Sequence, residues 1–209
     1  MLCIRQPMTK NDSVFELWNF FSSNAKEIKA AYDAENYDWL DGKLSPLVKA
    51  IAEDMNWEFG PYHHPDNTFV LSPTVRENLP ASRAAVAQAP DIPGWFFEPA
   101  KPAKELLSLF FEAEGSSVCA DEWRYRLTSY NSGEFVDIEI FYDSSTSPLA
   151  AHEQMFCELV VEAILGEELR LDRVGYLKPT LVLDVGAIEN ASKIRYLKEH
   201  LDEVLAPIQ

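Results

Sequence analysis

Two imidazoles and a carboxylate fall within four residues at His63, His64 and Asp66, residue types that together can ligate zinc or another divalent ion. The spacing argues against a metal site. Adjacent histidines on an extended segment point to opposite sides, and no spaced partner completes a recognisable ligand set. An exposed hairpin loop around Pro65 accounts for the cluster. His152-Glu153 opens like the zinc-protease helix, but that motif needs a second histidine one turn later, and Phe156 stands there. On a helical pattern His152 shares a face with Leu149, Phe156, Leu159 and Ala163, which places it at a core margin or lining a pocket. The pocket candidates are therefore His63, His64, Asp66 and His152. No glycine-rich phosphate loop occurs, and no serine sits between glycines as in a nucleophile elbow. Carboxylate pairs such as Asp121-Glu122 and Glu167-Glu168 arise readily among 34 acidic residues and define no acid and base pair. The pattern assigns no catalytic residue and implies no cofactor and no metal.

The chain has 209 residues, of which 47% are hydrophobic and 25% charged, so it holds enough apolar material for a sizeable core. Its 18 basic and 34 acidic residues give a formal charge of −16, which repels phosphate backbones and anionic lipid surfaces. The expected partner is a basic protein, with no nucleic acid and no membrane. Residues 1–5 are too poor in apolar side chains for a signal-peptide core, and no later apolar run would span a bilayer, so the expected location is cytoplasmic. Cys3, Cys119 and Cys157 are odd in number and far apart, which excludes a disulfide framework.

Several elements follow from periodicity. Ser13 and Glu16 fit a capping box at a helix start, after which Val14, Leu17, Trp18, Phe21, Ala25, Ile28 and Tyr32 form an apolar stripe. A second helix runs through Leu40, Leu44, Leu47, Val48, Ile51 and Met55, with Ser45-Pro46 suited to its first turn and Gly42 as an interruption. Alternation at Trp57, Phe59, Phe69 and Leu71 reads as a hairpin. Thr74 to Glu77 is a further capping box leading into an alanine-rich helix that Pro80 shortens or kinks, followed by a strand at Trp95 to Phe97. The same order then recurs: a helix over Leu106 to Ala113, strands over 123–130 and 135–142, a helix over 149–165 closed by Gly166, and a strand over 169–176. Trp57 and Trp123 open the matched hairpins, and Phe69 and Phe135 each follow their tryptophan by 12 residues.

With Ser132-Gly133 at the turn centre of the second hairpin, Trp123, Tyr125 and Leu127 face Tyr142, Ile140 and Ile138. Arg126 and Thr128 then pair with Glu139 and Asp137 on the other face. The tail holds Leu181-Val182-Leu183 and a last helix capped by Asn190 or Ser192, with Ile194, Leu197, Leu201, Val204 and Leu205 as its stripe. The fold class is α+β: a single domain over 1–209, built from two tandem α-β-β-α-β units with a largely antiparallel or mixed sheet and helices packed on it. Within it, 1–36 is an N-terminal helix, 37–99 the first unit, 100–178 the second, and 179–209 a C-terminal segment and helix. The matched order implies a structural duplication.

Three stretches, Phe69-Val70-Leu71-Ser72, Ala89-Pro90-Asp91-Ile92-Pro93-Gly94-Trp95 and Leu165-Gly166-Glu167, resemble an uncharacterised family of bacterial proteins. The chain departs from that pattern at Pro73 and Glu98. The resemblance implies a bacterial cytosolic α+β protein and transfers no mechanism. Charge and the lack of a catalytic constellation favour a non-enzymatic soluble interaction protein, immunity-type or accessory, that presents an acidic surface to a protein partner. The alternatives are a hydrolase or metal-dependent enzyme using His63, His64 or His152, and a small-ligand sensor with a pocket between the two halves.

Overall fold

Lys10–Asp33 forms one helix, α1, in a computed structural model that describes residues 10–60, 62 and 67–205. Val14, Leu17, Trp18, Phe21 and Ile28 are buried along one side, as a period of 3.6 requires. Ser13 does not cap the helix; it is buried inside it, and Asp12 supplies the negative charge that favours a first turn. Helix α2, Tyr37–Lys49, is capped by Asn36, whose side chain accepts from the Trp39 amide at 3.3 Å. Ser45 and Pro46 therefore lie within α2 rather than opening it, and Gly42 does not interrupt it. Ser45 is also held from both sides, by Asp41 and by the Trp57 indole at 2.8 Å.

Strands β1 (Asn56–Gly60), β2 (Asn67–Ser72) and β3 (Trp95–Glu98) form a sheet in that order. β1 and β2 are antiparallel, with Trp57 opposite Leu71 and Phe59 opposite Phe69. β3 runs parallel to β2, which requires a crossover, and α3 (Leu79–Val86) supplies it. The box expected at Thr74 does not form, because the Thr74 hydroxyl is drawn to the Asp54 carbonyl. A single 3-10 turn, Arg76–Asn78, intervenes, and Pro80 sits in the first turn of α3, where its missing amide costs nothing, so it starts the helix instead of kinking it. The core of this part is aromatic. Phe21 lies 5.0 Å from Phe69, 4.9 Å from Trp95 and 5.2 Å from Phe97, centroid to centroid.

The chain divides at Lys101 and Pro102 into two compact units. The second begins with the largest departure from expectation. Leu106 to Ala113 is not a helix: Phe110–Ala113 is strand β4, paired with β5, Ser116–Cys119. Glu114 and Gly115 adopt φ of +50° and +70°, so a two-residue turn of the type that matches strand twist closes the hairpin. The apolar spacing at 106–113 fits either period, and the Glu-Gly turn decides it.

β6 (Arg124–Tyr130) and β7 (Phe135–Asp143) pair as expected from the turn, with Tyr125 opposite Ile140, Leu127 opposite Ile138, Arg126 opposite Glu139 and Thr128 opposite Asp137. Trp123 and Tyr142 extend that face, their rings 5.1 Å apart. The equal spacing of Phe69 and Phe135 does not reflect equal positions, since Phe69 faces Phe59, two residues after Trp57, whereas Phe135 faces Tyr130, seven after Trp123. Helix α4, Glu153–Leu165, follows a 3-10 turn at Ala150–His152 and ends at Gly166, whose φ of +80° suits a residue without Cβ. A short helix α5, Glu167–Arg173, replaces the first part of the strand expected at 169–176; strand β8 instead spans Val174–Val182 and absorbs most of the Leu181 to Leu183 run. It lies parallel to β7.

Ser192 does not cap the last helix. Ser192–Lys193 is a two-residue strand, β9, against β6, and α6 is Leu197–Val204 after a 3-10 turn. The second sheet thus has the order β8-β7-β6-β9. Ile138, Ile140, Phe156, Val160, Leu197 and Leu201 are among the buried side chains of its core. Among the described residues, six α-helices and three antiparallel or mixed sheets make the chain α+β. Each unit contains an antiparallel strand pair followed by a helical crossover to a parallel strand.

Candidate functional site

Among the pocket candidates, His63, His64 and Asp66 lie outside the described residues. His152 is described. It ends the 3-10 turn at the start of α4, half-buried, with its Nδ1 3.4 Å from the Ser116 hydroxyl on β5. A serine beside a histidine is the first half of a nucleophile and base pair. The contact is long, and among the described residues no carboxylate is hydrogen-bonded to the His152 ring in the way that orients a catalytic imidazole. Among the described residues, no three His, Cys, Asp or Glu side chains converge as a metal set.

A second histidine escaped sequence reasoning. His200 on α6 places Nδ1 2.6 Å from the Tyr125 hydroxyl on β6, which also reaches the Tyr196 carbonyl at 3.2 Å. Tyr125 is 2% exposed, and burial pushes its phenol up to about 12; the Ser192 side chain opposes this and the charges of Glu203 and Glu199 add to it. A phenol this reluctant to ionise keeps its proton, which it donates to the Tyr196 carbonyl, and its oxygen meets His200 Nδ1; the two contacts fasten α6 to the sheet. Tyr125 and His200 are 75 residues apart, so no spacing rule could have joined them.

Cys157 is fully buried, in accord with its apolar helical pattern. Burial pushes its thiol up to about 12, with Glu153 and Glu158 adding to the effect, which leaves it inert as a nucleophile. Burial likewise raises the phenol of Tyr142, beside Cys157 and Glu153. Cys119 is exposed at the end of β5 and its thiol lies 3.4 Å from Asp121. Asp121 gathers further donors, the Ser108 hydroxyl at 2.8 Å, the Leu109 amide at 3.2 Å and the Arg195 guanidinium at 3.2 Å. Burial opposes ionisation of Asp121, but these hydrogen bonds and the Arg195 charge together hold the carboxyl below its ordinary value. The group acts as a tie between the entry to β4, the end of β5 and the turn before α6.

The first unit carries an open cleft of about 710 Å³. Ser22 to Glu27 and Lys29 of α1 form part of its lining, and Asn67 with Ile92, Pro93, Gly94 and Trp95 form the rest. Asn67 is pinned there, its side-chain amide donating to the Gly94 carbonyl at 3.0 Å. The Ala89 to Trp95 segment therefore does local work: Pro90 and Pro93 end the α3 crossover, and Gly94, at φ +80°, turns the chain into β3. Ser22 and Asn24 donate to the α1 carbonyls of Trp18 and Phe20, so these groups serve the helix rather than the cleft.

Charge is the most pervasive feature of the surface. Lys178 meets Glu139 at 2.7 Å, Lys193 meets Glu122 at 3.0 Å and Arg195 meets Asp121 at 3.2 Å. Arg126 and Arg170 approach Glu139 and Glu158 at 3.6 Å. The chain's own carboxylates thus occupy many of its cations, while Glu16, Glu27, Glu35, Asp38, Glu53, Glu105, Glu112, Glu114 and Glu199 remain exposed. No family model matches the chain, and neither a curated protein nor a solved structure matches it.

Proposed function

We propose that the protein is a non-enzymatic interaction protein, immunity-type or accessory, which binds a basic protein partner through its acidic surface. The observation that carries this reading is the excess of 34 acidic over 18 basic residues, with many carboxylates exposed while several of the cations are held in ion pairs with the chain's own acids. Such a surface steers a cationic partner at long range and rejects nucleic acid and anionic lipid. No helix among the described residues is long and apolar enough to cross a membrane. A pull-down from the native host at low and at moderate salt tests the reading. The expected result is a basic protein retained at low salt and weakened as salt rises; recovery of no basic partner under either condition removes the basis for the reading.

The hydrolase alternative has one contact in its favour, Ser116 beside His152. Substrate screening of Ser116→Ala, His152→Ala, His63→Ala and His64→Ala, with metal analysis of untagged protein, tests it. Unchanged variants and no bound metal end it.

A further inference from the structure

The β4-β5 ribbon supplies a more specific surface. Its inner side is fixed, with Leu109 and Val118 buried in the second unit's core and Phe111 and Ala113 packed against it. Its outer side is exposed. Along β4 the exposed residues are Phe110 and Glu112, directly opposite the exposed Cys119 and Ser117 of β5. The approach to β4 adds Leu106 and Leu107, so three large apolar side chains within five residues face water, Leu106 at 41%, Leu107 at 105% and Phe110 at 55% exposure. Scattered apolar residues are ordinary on a surface; three within five residues, leading onto a paired ribbon, suit a contact site.

Its own stretch of chain carries one sign of charge. No lysine or arginine occurs between Lys104 and Arg124, whereas Glu105, Glu112 and Glu114 are exposed beside the apolar group. Asp121 and Glu122, farther along, are already paired with Arg195 and Lys193. Resting on the acidic-partner reading above, we propose that the outer face of the β4-β5 ribbon is where that partner docks, and that the partner presents a cationic segment with apolar anchors. Leu107 and Phe110 take the anchors, and Glu105, Glu112 and Glu114 receive lysine or arginine at the rim, an arrangement of apolar centre and polar edge that suits protein contacts. A second copy of this chain, at a formal charge of −16, would meet like charge on that face.

The geometry also provides the reporter. Cys119 lies across from Phe110 on the outer face, and Cys157 is buried. In a Cys3→Ser background, the labelling rate of Cys119 by an aromatic disulfide is measured with a synthetic amphipathic peptide of lysine and leucine, and with an oligolysine of equal charge. The lysine-leucine peptide is expected to bind more tightly than oligolysine and to slow labelling. Leu107→Ser with Phe110→Ser is expected to weaken its binding about 10- to 100-fold without lowering the melting temperature, since both side chains are exposed. Glu112→Gln with Glu114→Gln is expected to weaken binding and flatten its salt dependence. Undiminished binding by the double serine variant, with Cys119 unprotected and binding lost in Glu35→Lys with Asp38→Lys, would overturn the ribbon and leave the acidic-partner reading standing. Absence of binding by either peptide at low salt would overturn both. Self-association in sedimentation that the double serine variant abolishes would overturn the cationic partner in favour of a second copy.

Discussion

Asp121 shows how one carboxylate can organise residues that are distant in sequence. Its lowered pKa means that the folded state holds the ionised form more firmly than the unfolded chain does, where an aspartate titrates at about 3.9. The stabilisation is therefore fully present above that value and is lost as pH falls through the lower folded value. Asp121→Asn is expected to cost on the order of 1 kcal/mol at neutral pH, a modest figure because solvent reaches the group. Denaturant titrations at pH 7 and in acid should show the gap between variant and parent closing as the parent carboxyl is protonated; a gap independent of pH would contradict this role. The sequence named Asp121 only as one of many neighbouring carboxylates and did not mark His200 at all, because Arg195 and Ser108 for the one and Tyr125 for the other lie far away in the chain. His152 was legible as a residue at a core margin, and its Ser116 neighbour was not.

Periodicity revealed the elements better than their ends. The β6-β7 register was readable because Ser132-Gly133 fixes the turn and strict alternation leaves one pairing that buries Tyr125, Ile138 and Ile140 together. Helix starts were less legible. Ser13, Ser45 and Thr74 have the side chains of caps, yet each is used elsewhere, because a cap stabilises by about 1 kcal/mol and burial of an apolar stripe outweighs it. The segment 106–113 failed for another reason, since its apolar residues satisfy both periods and only the Glu114-Gly115 turn distinguishes them. At this scale Trp18 is the testable joint. Its indole donates to the Ala85 carbonyl at 2.8 Å, tying α1 to the end of α3, and its ring packs against Phe21, Phe69 and Phe97. Trp18→Ala is expected to destabilise by about 3–5 kcal/mol and Trp18→Phe by about 1–2 kcal/mol, since phenylalanine restores much of the volume but not the donor. Equal losses in chemical denaturation would assign the joint to the indole hydrogen bond, and no loss in Trp18→Phe would assign it to packing alone.

Over the whole molecule, self-repulsion from 34 acidic against 18 basic residues opposes compaction. Raising sodium chloride from 50 to 300 mM screens that repulsion, and exposed ion pairs such as Lys178–Glu139 lose less because water already weakens them. The melting temperature is expected to rise by about 2–4 °C, corresponding to a gain of about 1 kcal/mol. A fall on adding salt would show that internal ion pairs outweigh the excess charge.

The sheets also carry an order of manufacture. β1, β2 and β3 all precede Lys101, so the first sheet has its complete set of strands before the second unit has been translated. The second sheet waits longer, since β6 is bordered by Ser192–Lys193, some seventy residues later in the chain. A nascent chain stalled near Asp184 would have every strand of the first sheet while one edge of β6 was still bare, so the second sheet keeps an unpaired edge long after the first has closed.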